Sequence, residues 1–262
     1  MLNRCAVSSA FIVGVEAVAV SVEVSITNGL PGTSVVGMPD AAVRESMERV
    51  RSAVKACGFS MPAEKIVVNL APASLRKNGA GFDLPIACAL LAASKQIPRT
   101  LIALMVGELS LDGRVRPVRG TLPFALAARD AGLRLVVSSD APDGVALDGV
   151  IQEGIASLGR LRLSNLDVLS CKGGGGSIED EVDFASIRGQ EAAKRALQIA
   201  AAGRHGVLLM GPPGSGKTML ARAFASILPP LSQDEMTGAA CVHSAAGEPV
   251  DAILSGRRPF RR

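Results

Sequence analysis

Tryptophan and tyrosine are absent, and with only seven phenylalanines the aromatic share is 3%. A core must then be built from Val, Leu, Ile and Ala, which the 48% hydrophobic content supplies. No C-x-x-C pair occurs among the five cysteines Cys5, Cys57, Cys88, Cys171 and Cys241, which are dispersed and odd in number. That pattern argues against a zinc site or a disulfide framework and for reduced thiols in the cytoplasm. No apolar run approaches the roughly 18 residues of a membrane span. Arg4 followed by apolar residues mimics a secretory signal, but Glu16 and Glu23 interrupt it and residues 17–26 alternate like a strand. A basic face is missing too. The net charge of +4 equals the contribution of Arg257, Arg258, Arg261 and Arg262 at the end of the chain. Charge alone therefore gives no support for nucleic-acid binding.

What is present is a complete G-x-x-x-x-G-K-[ST] loop: Gly211, Pro212, Pro213, Gly214, Ser215, Gly216, Lys217 and Thr218. The apolar run Gly206-Val207-Leu208-Leu209-Met210 before it reads as a buried strand, and residues 219–228 read as a helix ended by Pro229-Pro230. In that context backbone N–H groups converge on phosphate at a helix N-terminus. The glycines permit backbone angles and close approach that a side chain would block. Lys217 would reach the β- and γ-phosphates, and the Thr218 hydroxyl would face Mg²⁺. The ligands implied are ATP and Mg²⁺.

The chain divides by composition. Cys171-Lys172-Gly173-Gly174-Gly175-Gly176-Ser177, followed by Glu179-Asp180-Glu181, marks a flexible linker over 166–182. Residues 1–165 form one domain and residues 183–262 the start of a second. In the first, strands are expected within 11–26 (a hairpin pivoting near Gly14), and at 33–37, 65–70, 103–107 and 133–137. Helices are expected at 39–56, with Pro39 in the first turn, at 83–94, capped by Asp83, and at 122–130. A hairpin turns at Asp112-Gly113. Alternating strands and helices predict an α/β sheet covered by helices. In the second part a helix opens at Phe184 and runs to about Ala201, and another covers about 232–240.

Several stretches carry a family resemblance. In the first half they are Ile26-Thr27-Asn28-Gly29-Leu30-Pro31-Gly32, Val36-Gly37-Met38-Pro39-Asp40, Val68-Asn69-Leu70-Ala71-Pro72-Ala73, Gly81-Phe82-Asp83-Leu84-Pro85-Ile86-Ala87 and Val106-Gly107-Glu108-Leu109-Ser110-Leu111-Asp112-Gly113. In the second they are Gly189-Gln190-Glu191-Ala192-Ala193-Lys194-Arg195-Ala196-Leu197, the phosphate loop, and Val242-His243-Ser244-Ala245-Ala246-Gly247. Together the chain resembles the Mg-chelatase-like AAA+ ATPases of the ComM type. The resemblance implies a Lon-protease-like α/β domain over 1–165, followed by the first part of a P-loop AAA+ domain. It implies a homo-hexameric, ATP-driven helicase that promotes branch migration of DNA during natural transformation. Alternatives are a magnesium-chelatase subunit and a non-enzymatic interaction module.

The same resemblance bears on catalysis. The Lon-like fold uses a Ser–Lys dyad. Its D-G-P-S-A-G segment is similar to Asn78-Gly79-Ala80-Gly81-Phe82-Asp83, which puts Gly81 at the serine, and matching Pro117 and Gly120 puts Leu122 at the lysine. Neither can perform that chemistry, so a binding or assembly role is expected. Ser74 and Lys77 stand in a turn, and Arg76-Lys77-Asn78 reads as a solvated basic loop. Between 219 and 262 no apolar run ends in the Asp or Glu that hydrolysis requires, and no sensor or arginine finger is evident. Those parts are expected beyond residue 262, and this chain alone is expected not to turn over ATP. His243 and Ser244 read as loop residues.

Overall fold

The computed structural model describes residues 3–79, 81–98, 102–141, 147, 149–162, 167–169 and 183–259. The chain divides into two compact units: Met1–Gly173 with Cys241–Pro249, and Gly174–Ala240 with Val250–Arg262.

The first unit is built on a long hairpin, β1 (Asn3–Val13) and β2 (Glu16–Thr27), paired antiparallel from Asn3↔Ile26 to Val13↔Glu16. Gly14 turns it with φ of 66°. Around it stand β3 (Gly32–Val36), β4 (Lys65–Ala71), β5 (Ala103–Met105), β8 (Arg134–Ser138), β9 (Gln152–Ile155) and β10 (Asp167–Val168). They make one mixed sheet in the order β10-β9-β8-β5-β1-β2-β4-β3. β5, β8 and β9 run parallel to β1 in succession, and β3 runs parallel to β4. A separate hairpin joins β6 (Glu108–Leu109) to β7 (Val115–Arg116).

Period-two alternation assigns the two faces. Val20, Val22, Val24 and Ile26 of β2 join the core under α1 (Ala41–Ala56) and α2 (Asp83–Ala93), with Val7, Phe11 and Met105. Ala10, Leu104, Leu135 and Val137 point the other way, against Phe124, Ala125 and Ala128 of α3 (Thr121–Asp130). The result is three layers, helices on both sides of a sheet. Every residue of α2 is buried, so it lacks the polar stripe of a surface helix. Each of its Leu and Ile side chains contributes about 1.5–3 kcal/mol by burial.

Three local expectations are corrected. Pro39, expected in the first turn of α1, lies outside the helix; Asp40 is the N-cap, its carboxylate accepting from Val43 N at 2.8 Å. Asp83 does not cap α2. Its carboxylate is taken by Arg49 at 2.6 and 3.0 Å and by Leu109 N at 3.1 Å, a pairing that a fully buried charge requires. Two residues assigned to the linker, Asp167 and Val168, pair with β9 as β10; 163–166 and 170–182 lie outside the described residues. β9 had no sequence signal of its own, because Gln152-Glu153-Gly154-Ile155 is mostly polar, yet all four residues are buried.

The second unit contains a 3₁₀ turn (Phe184–Ser186), α4 (Glu191–Gly203), α5 (Lys217–Phe224), a 3₁₀ turn (Ala225–Ile227), the start of α6 (Gln233–Ala246) and α7 (Asp251–Leu254). The expected helix from Phe184 is interrupted: Gly189 and Gln190 take φ of 71° and 58°, which no α-helix accommodates, so α4 opens at Glu191. Its core is small: Phe184, Ile187, Leu197, Leu220 and Ala223, with Leu209 partly buried against them. The expected strand at 206–210 is absent. Those residues have no ladder partner among the described residues, and Leu208 and Met210 are 81% and 84% exposed. Without a neighbouring strand to receive its N–H and C=O groups, an apolar run gains nothing by becoming a strand.

Candidate functional site

The loop of residues 211–218 runs into the first turn of α5, whose N-cap is Gly216 in the left-handed region (φ 80°) with no side-chain cap. Gly214 is left-handed as well (φ 78°). Both angles disfavour any residue with a Cβ, which is the local reason for glycine at these two positions. The amides of Gly214, Gly216, Lys217 and Thr218 have no acceptor among the described residues. An uncapped helix start with several free N–H groups is an anion site in the making.

Lys217 is folded back on this loop. Its Nζ donates to Gly211 O at 2.9 Å, Pro212 O at 2.7 Å and Ser215 Oγ at 3.2 Å. Ser215 Oγ in turn donates to Pro212 O at 2.9 Å. The ammonium is therefore held at the loop by neutral acceptors. A phosphate oxygen is charged and makes the stronger hydrogen bond, so it can take their place. Thr218 is exposed, and its hydroxyl has no hydrogen-bond partner among the described residues. The donor set of amides, an ammonium and a free hydroxyl fits a polyphosphate with a hard, oxygen-seeking cation. Pro213 is exposed and makes no hydrogen bond through its ring nitrogen.

Loop geometry is set from outside as well. Gln190, to which sequence reasoning gave no role, donates from Nε2 to Ser215 O at 3.3 Å. The signal that could have exposed it is its place directly after Gly189, at the start of α4.

The first unit holds a cavity of about 510 Å³ lined by Phe11, Asn78, Gly81, Glu108, Val118 and Arg119, among others. Gly81 faces it and brings no hydroxyl. Leu122 is buried, and its N–H donates to Ser244 Oγ at 3.2 Å. Ser74 is exposed, whereas Lys77 is buried, contrary to the solvated loop expected. Lys77 Nζ donates to Pro72 O, its backbone bridges to Pro39, and burial pushes its pKa down. Burial is enforced by the backbone: Lys77 N bonds Met38 O, and Asp40 N bonds Lys77 O.

His243 and Ser244 are also corrected, since both lie on α6. Ser244 is buried and caps α3: besides the Leu122 contact, its carbonyl accepts from Gly120 N at 3.0 Å. His243 Nδ1 lies 2.5 Å from Glu248 Oε2, across a helix end closed by Gly247 N to Ser244 O and Glu248 N to His243 O. That is a Schellman closure, and it gives both residues a structural task. Among the described residues no group of three His, Cys, Asp or Glu side chains could hold a metal. No helix among them is long and apolar enough to cross a membrane.

Comparison with known proteins finds two family models, matching separate parts of the chain. A family model described as subunit ChlI of Mg-chelatase matches residues 22–141, and another described as magnesium chelatase, subunit ChlI, matches residues 183–262. Protein YifB of Escherichia coli is 41% identical over 261 residues, covering 95% of this chain and 50% of that protein. Competence protein ComM of Haemophilus influenzae is 37% identical over 266 residues, covering 95% of this chain and 51% of ComM. The chain belongs to the Mg-chelatase ChlI-like family that includes YifB and ComM. Lon protease 2 of Thermus thermophilus is 31% identical over 123 residues, which are 44% of this chain and 15% of Lon protease 2. That partial match is consistent with a mixed α/β fold. The chain spans about half the length of the curated family relatives it matches.

Proposed function

We propose that the chain binds ATP as its Mg²⁺ complex at Gly211, Pro212, Pro213, Gly214, Ser215, Gly216, Lys217 and Thr218. The observation that carries this is the group of four free amides around an uncapped helix start, with Lys217 Nζ already held at the loop. The amides and Lys217 hold the phosphates, and the Thr218 hydroxyl faces the cation. When bound, Mg²⁺ would neutralise phosphate charge. In the whole protein, at the length of YifB and ComM, we propose that this site drives a cytoplasmic, homo-hexameric AAA+ motor acting on DNA in recombination. The name of ComM supports the link to competence, and similarity across 95% of the chain supports carrying it over. On this reading residues 1–165 are a Lon-like domain for binding or assembly, 166–182 a linker, and 183–262 part of the motor.

A second reading is an ATP-driven subunit for magnesium insertion, favoured by the ChlI description of both family models. Similarity to YifB and ComM through both units favours the first.

Isothermal titration of the chain with Mg–ATP tests the site. Binding should be measurable in the unsubstituted chain, and Lys217→Ala should weaken it by more than about 10-fold, the cost of losing a charge-assisted contact. Equal affinities for the two chains would refute the assignment.

A further inference from the structure

Gln190 breaks two local rules at once. It occupies the N-cap of α4, where Ser, Thr, Asp or Asn normally accepts a hydrogen bond from the first turn, yet it makes no side-chain cap. It also stands at φ 58°, a conformation that residues other than Gly, Asn and Asp seldom adopt. Its amide is used elsewhere: Nε2 reaches Ser215 O, 25 positions along the chain.

The effect on the loop follows from the peptide bond. The unit linking Ser215 to Gly216 is planar and trans, so its C=O and N–H point in opposite directions. Fixing Ser215 O toward Gln190 fixes Gly216 N–H away from it. That amide is one of the four without an acceptor among the described residues. The remaining bonds of Ser215 are its backbone N–H to Pro212 O at 3.4 Å, its Oγ to Pro212 O, and Lys217 Nζ to its Oγ; none of them involves the Ser215–Gly216 peptide, which they leave free to turn.

We propose that Gln190 is a positioning residue for phosphate binding: it holds the Ser215–Gly216 peptide with its N–H turned to the ligand. The proposal rests on the nucleotide reading of the loop and adds an element outside it. Gly189 and the left-handed turn at Gln190 exist to aim this side chain, with the helix start as the place from which it reaches.

The test compares Gln190→Gly with the unsubstituted chain. Glycine adopts the left-handed angle without strain, so the backbone turn survives and only the amide is lost. Titration with Mg–ATP and, separately, with inorganic tripolyphosphate should show both weakened about 3–10-fold, the range for one neutral hydrogen bond. The melting midpoint should stay level or rise. Should that midpoint fall, Gln190→Asn decides, because asparagine tolerates the angle but is one methylene too short to reach Ser215. It should show the same loss for both ligands. Unchanged affinity in a folded variant overturns the proposal, as does a loss confined to Mg–ATP, which would place Gln190 at the base or ribose. If the unsubstituted chain binds neither ligand, the nucleotide reading itself fails, and this role with it.

Discussion

Two apolar segments of similar chemistry have opposite fates. β4, Lys-Ile-Val-Val-Asn-Leu-Ala, lies between β2 and β3, and Ile66, Val68 and Leu70 are fully buried. The segment Gly206-Val207-Leu208-Leu209-Met210 has no ladder among the described residues, and within it Leu209 packs against the small core. Both have the composition of a strand. The difference is whether neighbouring strands are present to complete the hydrogen bonds and cover the side chains. A strand is thus a property of the pairing, and composition only permits it. The phosphate loop keeps its turn regardless, because apart from the Gln190 contact its bonds are local: Ser215 to Pro212, Lys217 to Gly211 and Pro212, and α5 onward.

This comparison can be strained from the largest effect downward. Replacing Asp83 by Ala leaves Arg49 without its partner beside a packed helix pair. It should cost the first unit about 3–5 kcal/mol, the range for breaking a buried ion pair. Urea unfolding followed by far-ultraviolet dichroism would measure this, since the chain has no tryptophan or tyrosine to report by fluorescence. Next comes the same substitution at two leucines. Leu70→Ala should destabilise by about 2–5 kcal/mol, as cavities in packed cores do. Leu208→Ala should stay within about 0.5 kcal/mol, as for an exposed residue with few contacts. Similar costs at the two sites would show that 206–210 is packed as well as β4 is, and the contrast drawn above would be lost.

Much of the first unit was legible because its signals are local or periodic. The turn at Gly14, the alternation in β2 and the hairpin at Asp112-Gly113 each depend on a few neighbouring residues. What was hidden depends on distant partners. Asp83 looked like a cap because caps are carboxylates at helix starts; only the fold brings Arg49 to it. Lys77 looked solvated because lysines usually are, and its burial follows from strapping to Met38 and Asp40. β9 was invisible because polar residues in a strand are readable only when the partner strand is known. At the candidate site, the eight residues of the loop were readable as a pattern. Gln190 was not, since its partner Ser215 is separated from it by the whole of α4.

The central claim is that four amides at the start of α5 are held ready for phosphate. Hydrogen exchange followed amide by amide, with and without Mg–ATP, tests it most directly. The account predicts that nucleotide slows exchange at Gly214, Gly216, Lys217 and Thr218 while β1 and β2 exchange as before. Unaltered exchange at those four amides under saturating Mg–ATP would contradict it.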